Sequence, residues 1–385
     1  MSSAWLLPEH LADVLPAQAR RIEEMRRCLL DLARSYGCEL VQPPLLEHLE
    51  SLLSGQARSQ DLRTFKLVDQ LSGRSLGVRA DMTPQVARID AHLLNRRGVT
   101  RLCYCGPVVH TRPASVLSSR EPLQFGVEIY GHAGLEADLE VIDLALDALV
   151  AAGLPLPLLD FSDARPLAAL LVGASLSDCQ AVRAALQVRD AQQLAQATAM
   201  LPLAVQQGLQ ALLDLEGGVE VLAQAAAVLP NSDALSQALR DLGWLVEHLR
   251  KSHPSLQIGI DLAGVGANEY YTGVCFSAYG SGQCEVLLRG GRYDEVGAAF
   301  GRRRPAVGFS LDLKALVEGL TPSTLRAAVR APWGDDASLR QAVRELRQQG
   351  ETVVCVLPGH EDEGEEYACD RELVGQDGQW MVRPL

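Results

Sequence analysis

Three short stretches in the second half of the chain decide its fold. They are Glu269-Tyr270-Tyr271-Thr272-Gly273, Leu288-Arg289-Gly290-Gly291-Arg292-Tyr293-Asp294 and Pro305-Ala306-Val307-Gly308-Phe309. Strand-type sequence occupies residues 257–288, and a second strand-rich region covers residues 71–130 with a helix predicted at 84–94. This arrangement favours an antiparallel sheet over a doubly wound parallel one.

Two earlier segments carry polar residues that suit an amino-acid pocket. Arg79-Ala80-Asp81-Met82-Thr83-Pro84 leads into the predicted helix, and Gln124-Phe125-Gly126-Val127-Glu128 lies near the end of the first strand-rich region. A histidine pocket needs acceptors for an ammonium group, a partner for the imidazole N–H and an aromatic or apolar wall. A single Asp, Glu or Tyr is most often a surface charge or a core residue. The informative signal is the order of all five segments along one chain.

In this order the segments resemble the histidine-recognising core of histidyl-tRNA synthetase, a class II synthetase. The resemblance implies six histidine-binding residues: Asp81, Thr83, Gln124, Glu128, Tyr270 and Tyr271. The aspartate and threonine would hold the amino group, and the glutamine would contact the amino-acid backbone. The glutamate would accept from the imidazole, and the tyrosines would close over the ring. Asp81 is one methylene shorter than the glutamate that would serve the same purpose.

The same resemblance argues against catalysis, because adenylation needs several fixed cations aimed at developing phosphate charge. The arginines of the synthetase pattern would fall at Val109 or His110, at Gly266 and at Ala315, its paired glutamate at Thr111 and a usual glycine at Asp312. Losing one preorganised donor typically costs about 10²- to 10³-fold in rate, so three losses predict a chain without adenylation activity. Lys314 would compensate in part if the register differs by one residue.

The residue that would meet the histidine carboxylate stays open, since glycine occupies position 266. Arg112, Arg120 and a backbone N–H are candidates, and His110 is a further candidate for an anion contact. His110 is equally well explained as a neutral imidazole satisfied inside the sheet. The cluster Gly301-Arg302-Arg303-Arg304-Pro305 could bind a phosphate or a protein, but a solvated hairpin tip is favoured by about two to one.

The pattern along the chain divides it into a core of residues 1–320 and a small C-terminal α/β domain of residues 321–385. An Ala-, Leu- and Gln-rich stretch at about 166–250 predicts an inserted bundle of short helices without chemistry of its own. The tail predicts a strand, a helix at 336–349 and a strand at 352–357. A first helix at 16–36 precedes a short strand at 39–42, which resembles the class II motif at a dimer interface and so implies a homodimer.

The charge balance argues against a nucleic-acid partner. Lys and Arg total 35 against 48 Asp and Glu, so the formal net charge is -13. An acidic surface repels a polyphosphate, and the tail adds the acidic run Glu361-Asp362-Glu363-Gly364-Glu365-Glu366. Anticodon binding by this tail is therefore not expected.

Cysteine usage and hydropathy indicate a cytoplasmic protein. The nine cysteines form no Cys-x-x-Cys pair and have no histidine at zinc spacing, so we expect reduced, mostly buried thiols and no metal site. No stretch has the length and apolar character of a membrane span or a secretory leader.

A chain that keeps the histidine pocket but lacks most adenylation arginines resembles the regulatory subunit of ATP phosphoribosyltransferase. That resemblance implies an α+β, class II synthetase-like antiparallel sheet flanked by helices, with the helical insertion and the small tail. It also implies a short-form catalytic phosphoribosyltransferase as partner, L-histidine as feedback effector at the first step of histidine biosynthesis, a homodimer within a larger hetero-oligomer, and no cofactor. The alternatives are an active histidyl-tRNA synthetase-like adenylating enzyme and a histidine-binding module for another partner.

Overall fold

The computed structural model describes residues 6–53, 58–116, 118–155, 157–264, 270–280, 286–320, 328–360, 368–376 and 378–385. The chain forms two compact units, residues 1–320 and residues 321–385. Within the described ranges, no helix is both long and apolar enough to cross a membrane.

The first part of the large unit contains four helices and six strands. In chain order they are α1 (Pro16–Ser35), β1 (Glu39–Leu40), β2 (Leu46–His48), α2 (Leu49–Leu52), α3 (Arg58–Arg63), β3 (Phe65–Val68), β4 (Ser75–Val78), α4 (Thr83–Arg88), β5 (Thr100–Pro107) and β6 (Leu123–Tyr130). Helix α4 continues as one π-helical segment, Ile89–Leu94. The predicted first helix and the predicted helix at 84–94 are both confirmed.

The rest of the large unit begins with helix α5, which packs on the sheet, and contains the inserted helices. In chain order the elements are α5 (Leu135–Ala151), β7 (Leu158–Asp163), α6 (Ala164–Leu170), α7 (Leu176–Gln187), α8 (Ala191–Thr198), α9 (Leu203–Leu212), β8 (Glu216–Gly217), α10 (Val221–Val228), α11 (Asp233–Ser252), β9 (Gln257–Asp261), β10 (Val274–Tyr279), β11 (Val286–Arg292), β12 (Ala306–Asp312) and α12 (Leu313–Glu318). A 3₁₀ segment, Val296–Phe300, lies between β11 and β12. Helices α6 to α11 occupy the stretch predicted as a helical insertion.

The small unit is a four-stranded sheet with one helix. Its elements are β13 (Ala328–Pro332), α13 (Ala337–Gln348), β14 (Val353–Val356), β15 (Cys369–Gln376) and β16 (Gln379–Pro384), and the strand order is β14-β13-β15-β16. The sequence prediction missed the last two strands. Their exposed, polar-rich sequence gives only a weak alternating pattern, and the strands are held by pairing with each other and with β13.

A nine-stranded sheet organises the large unit, with the order β1-β5-β6-β12-β11-β10-β7-β9-β8. Its pairs are antiparallel except β1 with β5 and β7 with β9. The expected class II-like α+β architecture is therefore confirmed, with two parallel contacts that the sequence prediction did not include. Strands β2, β4 and β3 form a separate small sheet.

Side chains alternate between the two faces of this sheet. In β6, Phe125 and Val127 pack into the main apolar core with α5, whereas Gln124 and Glu128 project from the opposite side. We call that opposite side the pocket face. A second apolar cluster covers it, formed by α4, the 3₁₀ segment and aromatic side chains including Tyr104 and Tyr293.

The described cysteines are free thiols, as expected. The expectation that most are buried is wrong: Cys38, Cys103 and Cys275 are buried, Cys28 is exposed, and the other four are half-buried. Burial raises the pKa of Cys38 to about 12, which keeps that thiol protonated and unreactive. Cys284 lies outside the described residues.

Candidate functional site

Glu128 is the centre of the pocket face. Its side chain is only 1% exposed and receives hydrogen bonds from three hydroxyl groups. Thr83 Oγ1 and Tyr104 OH both donate to Oε1 at 2.9 Å, and Tyr293 OH donates to Oε2. These donors come from α4, β5 and the end of β11, so three separate segments converge on one carboxyl group.

Two glycines make room for this arrangement. Gly308 on β12 is paired with Glu128, and a Cβ atom at Gly308 would overlap Glu128 Oε2. Gly126 is paired with Tyr104, and a Cβ atom there would overlap the tyrosine ring. Because the side chains occupy the space above these glycines, any larger residue at either position would displace the carboxyl or the phenol.

Burial has strong electrostatic consequences at this centre. Desolvation raises the pKa of Glu128 to about 8, although hydrogen bonds from Tyr293, Thr83 and Tyr104 act in the opposite direction. Burial also raises the pKa of Tyr104 and Tyr293 well above their usual range, so both phenols keep their protons. The site therefore holds a carboxyl group that titrates near neutral pH among hydroxyls that do not.

Asp81 and Gln124 form a hydrogen-bonded pair beside Glu128, which we call the Asp81 clip. Gln124 Nε2 donates to Asp81 Oδ1 at 2.9 Å, and Gln124 Oε1 accepts from the backbone N–H of Met82 at 2.9 Å. The backbone N–H of Thr83 also donates to Asp81 Oδ1, at 3.1 Å. Both contacts use Oδ1, so they leave Oδ2 of this half-buried carboxylate to accept from a ligand.

Tyr270 and Tyr271 form a half-buried aromatic wall. Their ring centroids lie 4.8 Å apart, and the Tyr270 ring meets that of Tyr293 edge-to-face at 5.7 Å. Tyr271 Cε1 would be 2.9 Å from a Cβ atom on Gly291 of β11. The tyrosine pair thus lies against the same part of the sheet as Glu128, and the structure brings all six predicted histidine-binding residues to one site.

Buried ion pairs hold the strands around this site. Arg292 pairs with Asp138 of α5 on the back of the sheet, and Arg304 Nη1 pairs with Asp90 at 2.8 Å. Arg304 is only 8% exposed, so the hypothesis of a solvated hairpin tip is wrong for this member of the arginine cluster. Arg302 donates to backbone carbonyls, and Arg303 pairs with Glu295.

The side chains predicted as possible anion contacts, Arg112, Arg120 and His110, lie in different surroundings. Arg112 is exposed, whereas Arg120 donates through Nε to the His110 carbonyl at 3.0 Å and lies 5.2 Å above the Phe65 ring. His110 is buried, with Nε2 3.0 Å from the Ala80 carbonyl and Arg63 Nη2 3.1 Å away. Burial, reinforced by Arg63, lowers the pKa of His110, so its imidazole is neutral near pH 7.

The positions that would hold a nucleotide in a synthetase are used for internal contacts. Lys314 Nζ donates to the Glu121 carbonyl and to Glu121 Oε2, at 2.8 and 3.0 Å. Asp312 caps α12 through the Lys314 N–H and also accepts from the Leu123 N–H, both at 3.0 Å. Thr111 Oγ1 donates to the Leu62 carbonyl. Lys314 therefore does not replace a missing arginine in this conformation.

Other parts of the sequence analysis concern residues without a described structure. Gly266 and the acidic run at 361–366 lie outside the described residues. Half-buried Val109 and exposed Ala315 are described, and neither carries a charge. Among the described residues, no group of three His, Cys, Asp or Glu side chains is placed to hold a metal ion.

Sequence reasoning did not assign a role to Tyr104 or Tyr293. Tyr104 is fully buried and Tyr293 is 2% exposed, yet both donate to Glu128. Tyr293 was visible as the aromatic residue of the Gly-Gly-Arg-Tyr-Asp stretch. Tyr104 could be found only from the strand register that places it opposite Gly126.

Comparison with protein families gives two matches that together span most of the chain. Residues 10–316 match the family described as histidyl-tRNA synthetase. Residues 326–383 match the family described as the ATP phosphoribosyltransferase subunit HisZ C-terminal domain.

Individual proteins show the same two relationships. The chain is 59% identical to the ATP phosphoribosyltransferase regulatory subunits of Albidiferax ferrireducens and of Variovorax paradoxus, each match covering 100% of both chains. A solved structure from Bacillus halodurans, named as an ATP phosphoribosyltransferase regulatory subunit/histidyl-tRNA synthetase, has a TM-score of 0.81 and 28% identity over 92% of this chain and 93% of that one. Histidyl-tRNA synthetase from a Nostoc species shares the fold, with a TM-score of 0.79 at 17% identity over 99% of this chain and 97% of that chain.

Proposed function

The chain belongs to the family of ATP phosphoribosyltransferase regulatory subunits, and we propose that it binds L-histidine and passes this signal to a catalytic subunit. Its role is regulatory and not catalytic. The proposed partner is a short-form ATP phosphoribosyltransferase in the cytoplasm, activated by this chain and inhibited through it when histidine is abundant.

The observation that carries the histidine proposal is the buried Glu128 carboxyl beside the Asp81 clip. Thr83, Tyr104 and Tyr293 fix the orientation of Glu128 by hydrogen bonds, and Gln124 fixes that of Asp81. An imidazole N–H can donate to the first carboxyl group, and an ammonium group can donate to the second. One free histidine carries both donors.

Access to Glu128 runs past the tyrosine wall. Glu128 is 1% exposed, whereas Tyr270 and Tyr271 are half-buried and lie between it and the surface of the pocket face. We propose that the imidazole enters above Gly291 as the Tyr271 ring moves away from it, and that it then meets the Glu128 carboxyl, which lies over Gly308. Histidine binding would then move the segment that leads into β10.

This movement supplies a route for feedback. A ligand shifts an equilibrium between two conformations only if its affinity for them differs. Histidine would favour the conformation with the displaced tyrosines, and the catalytic partner would be less active when bound to that conformation. Couplings of this kind typically amount to about 1 to 3 kcal/mol.

The proposed assembly is a homodimer within a larger hetero-oligomer. Strand β1 is an edge of the nine-stranded sheet and is paired only with β5 among the described strands. Leu40 on this edge is 49% exposed, and Leu45 and Leu46 nearby are 41% and 43% exposed. An apolar sheet edge suits burial against a second copy. The net charge of -13 supports the proposal that nucleic acid is not a partner.

The proposal is tested by reconstituting the complex. The purified chain is added to a short-form ATP phosphoribosyltransferase, and phosphoribosyl-ATP formation is measured with and without histidine. We expect activity that depends on the chain and decreases with histidine.

A histidine-dependent pyrophosphate exchange assay on the chain alone is the control. Robust exchange together with no effect on the transferase would show an adenylating enzyme instead. Histidine binding without any effect on the transferase would indicate a histidine-binding module for another partner.

A further inference from the structure

We propose that Arg289 on β11 binds the α-carboxylate of the amino acid in the pocket. This inference rests on the proposed histidine binding and adds a specificity-determining residue to that site. Neither of the arginines considered from the sequence, Arg112 and Arg120, lies on a strand of the pocket face.

Strand register places Arg289 on the pocket face. Tyr104 is paired with Gly126, Gly126 with Ser310, and Ser310 with Arg289. Directly opposed residues of antiparallel strands project from the same face, so Arg289 and Tyr104 share it. Burial supports this assignment, because the neighbouring Leu288 packs into the core on the other face.

The separation between Arg289 and Glu128 suits one amino acid. Glu128, Gly308 and Gly291 are paired in one row across β6, β12 and β11, and Arg289 precedes Gly291 by two residues. Two strand spacings of about 4.8 Å and two residue rises of about 3.4 Å put the Cα atoms about 12 Å apart. A histidine with its ring at Glu128 would span this gap to the end of an extended arginine side chain.

The surface between these two residues has little side-chain bulk. Beyond the Glu128 carboxyl, which lies over Gly308, the residues Gly291 and Ser310 line this surface, so a ligand lying on the sheet meets backbone and one hydroxyl. The Tyr271 ring covers Gly291, which makes it the side chain that borders such a ligand. The floor of the site is thus open in the direction of Arg289.

Arg289 is the cation available for this purpose. In the described parts of the nine strands it is the one basic residue on the pocket face, and it is exposed. No hydrogen bond or ion pair joins its guanidinium to another described residue. By contrast, Arg79 donates to the carbonyls of Pro43 and Pro107, and Lys314 is paired with Glu121.

Charge complementarity favours a ligand with one anionic group. Asp81 and Asp160 are acidic residues near or on this face, and they would attract the ammonium group of histidine but repel its carboxylate. Asp160 lies in the same row as Arg289, separated from it by Ser277. A guanidinium at this position offers a carboxylate paired, charge-assisted hydrogen bonds. Arg289 therefore makes the site selective for the complete amino acid over its decarboxylated amine.

The test compares two ligands that differ in the carboxylate. Binding of L-histidine and of histamine to the full-length chain is measured by isothermal titration calorimetry for the wild type, Arg289→Met and Arg289→Lys. We expect Arg289→Met to weaken histidine binding about 10- to 100-fold and to leave histamine binding unchanged, as for loss of a charged hydrogen bond. Arg289→Lys should recover part of the preference.

Arg112→Met is the matched control, because Arg112 is also exposed and was a candidate from the sequence. It should keep the wild-type ratio of the two affinities. The inference is overturned if Arg289→Met keeps that ratio, if it weakens both ligands equally, or if Arg112→Met removes the preference. A wild type that does not bind histidine would instead contradict the proposed function itself.

Discussion

Two neighbouring regions beside the nine-stranded sheet use their polar groups differently. The proposed histidine half consists of Asp81, Thr83, Gln124, Glu128, Tyr270 and Tyr271, and the nucleotide half, named from the synthetase pattern, consists of residues 108–116, 118–122 and 312–315. In the histidine half, a buried carboxyl is surrounded by hydroxyl donors and a second carboxylate keeps an oxygen for a ligand. In the nucleotide half, polar groups are used in internal hydrogen bonds. Lys314 donates to Glu121, and Asp312 accepts from the backbone N–H groups of Lys314 and Leu123.

This difference is the one that the proposed function requires, in which amino-acid recognition is kept and adenylation is lost. Binding an amino acid needs a few oriented acceptors, whereas adenylation also needs cations that stay available for phosphate. Once those cations are replaced, the remaining polar groups of the region can be used to stabilise the fold. Asp312 illustrates the change, since it caps a helix at the position where the synthetase pattern has a glycine.

The largest expected effect comes from a Glu→Gln substitution in the histidine half, compared with the same substitution in the nucleotide half. Glu128→Gln removes the carboxyl group that would share a proton with the imidazole and points an amide N–H₂ at hydroxyl donors. A hydrogen bond to a charged group is worth about 1.5 to 3 kcal/mol, so histidine affinity should fall about 10- to 100-fold. Calorimetric titration of the full-length chain measures this change.

Glu121→Gln is the control in the nucleotide half. Glu121 pairs with Lys314 and is 44% exposed, so its loss should change histidine affinity less than about twofold. Equal losses in the two variants would remove the distinction between the halves. An unchanged affinity in Glu128→Gln would show that the buried carboxyl does not contact the ligand.

A smaller effect is expected from pH, through the proton shared by Glu128 and the ligand ring. The pKa of Glu128 is about 8, and that of a free imidazole is about 6.5. Between pH of about 6.5 and about 8, the unbound carboxyl group is protonated and the unbound ring is neutral. The two partners then carry one proton in total, which is the number that the bound pair shares. Below pH of about 6.5 a proton must be released, and above about 8 one must be taken up, so affinity should fall about tenfold per pH unit on either side.

Titrations from pH 5.5 to 9.5 in buffers of different ionisation enthalpy would count these protons. Tyr104 and Tyr293 do not contribute, because burial raises their pKa well above this range. Imidazolepropionate is the control ligand, since it has no ammonium group to deprotonate at the alkaline end. An affinity that rises to pH 8 and then stays constant would contradict the shared proton, because it would mean an ionised carboxylate binding a neutral ring.

Most of the fold and the residues of the proposed histidine half could be predicted from the sequence. The physical reasons are different for the fold and for the site. Strand and helix patterns identified β6 and α4, and the order of the motifs predicted Asp81, Thr83, Gln124 and Glu128 as histidine-binding residues, which the structure brings together. These side chains lie on regular elements whose spacing sets their direction. The clip role of Gln124 was not predictable, because it depends on the backbone N–H of Met82 in another segment.

Other features depended on strand register, which the sequence does not state. Tyr104 was read as an ordinary strand residue, and only its pairing with Gly126 brings its hydroxyl to Glu128. Arg289 was quoted within a motif, and only the row through Ser310 places it on the pocket face. A one-residue shift of β5 would reverse the assignment of Tyr104, and a one-residue shift of β11 would reverse that of Arg289.

The smallest expected effect on histidine binding comes from Asp312, which tests whether the nucleotide half is now structural. Asp312→Ala removes the cap of α12, worth about 1 kcal/mol, and leaves the Leu123 N–H without its acceptor, worth about 1 kcal/mol more. For a unit of 320 residues, whose unfolding entropy is about 2.1 cal/mol/K per residue, the melting temperature should fall by about 3 °C, while histidine affinity stays unchanged.

Asp190→Ala is the matched control, because Asp190 caps α8 in the same unit and accepts only from the first turn of that helix among described residues. It should lower the melting temperature by about 1 to 2 °C. Asp312→Gly, which restores the glycine of the synthetase pattern, should lose stability in the same way and show no pyrophosphate exchange. If Asp312→Gly gained ATP binding or pyrophosphate exchange, the nucleotide half would be an ATP site that the Asp312 carboxylate alone blocks. Its internal hydrogen bonds would then be a consequence of that carboxylate. A loss of stability alone would mean that the polar groups of this half now serve the fold, since removing the acid would expose no cation able to hold a phosphate.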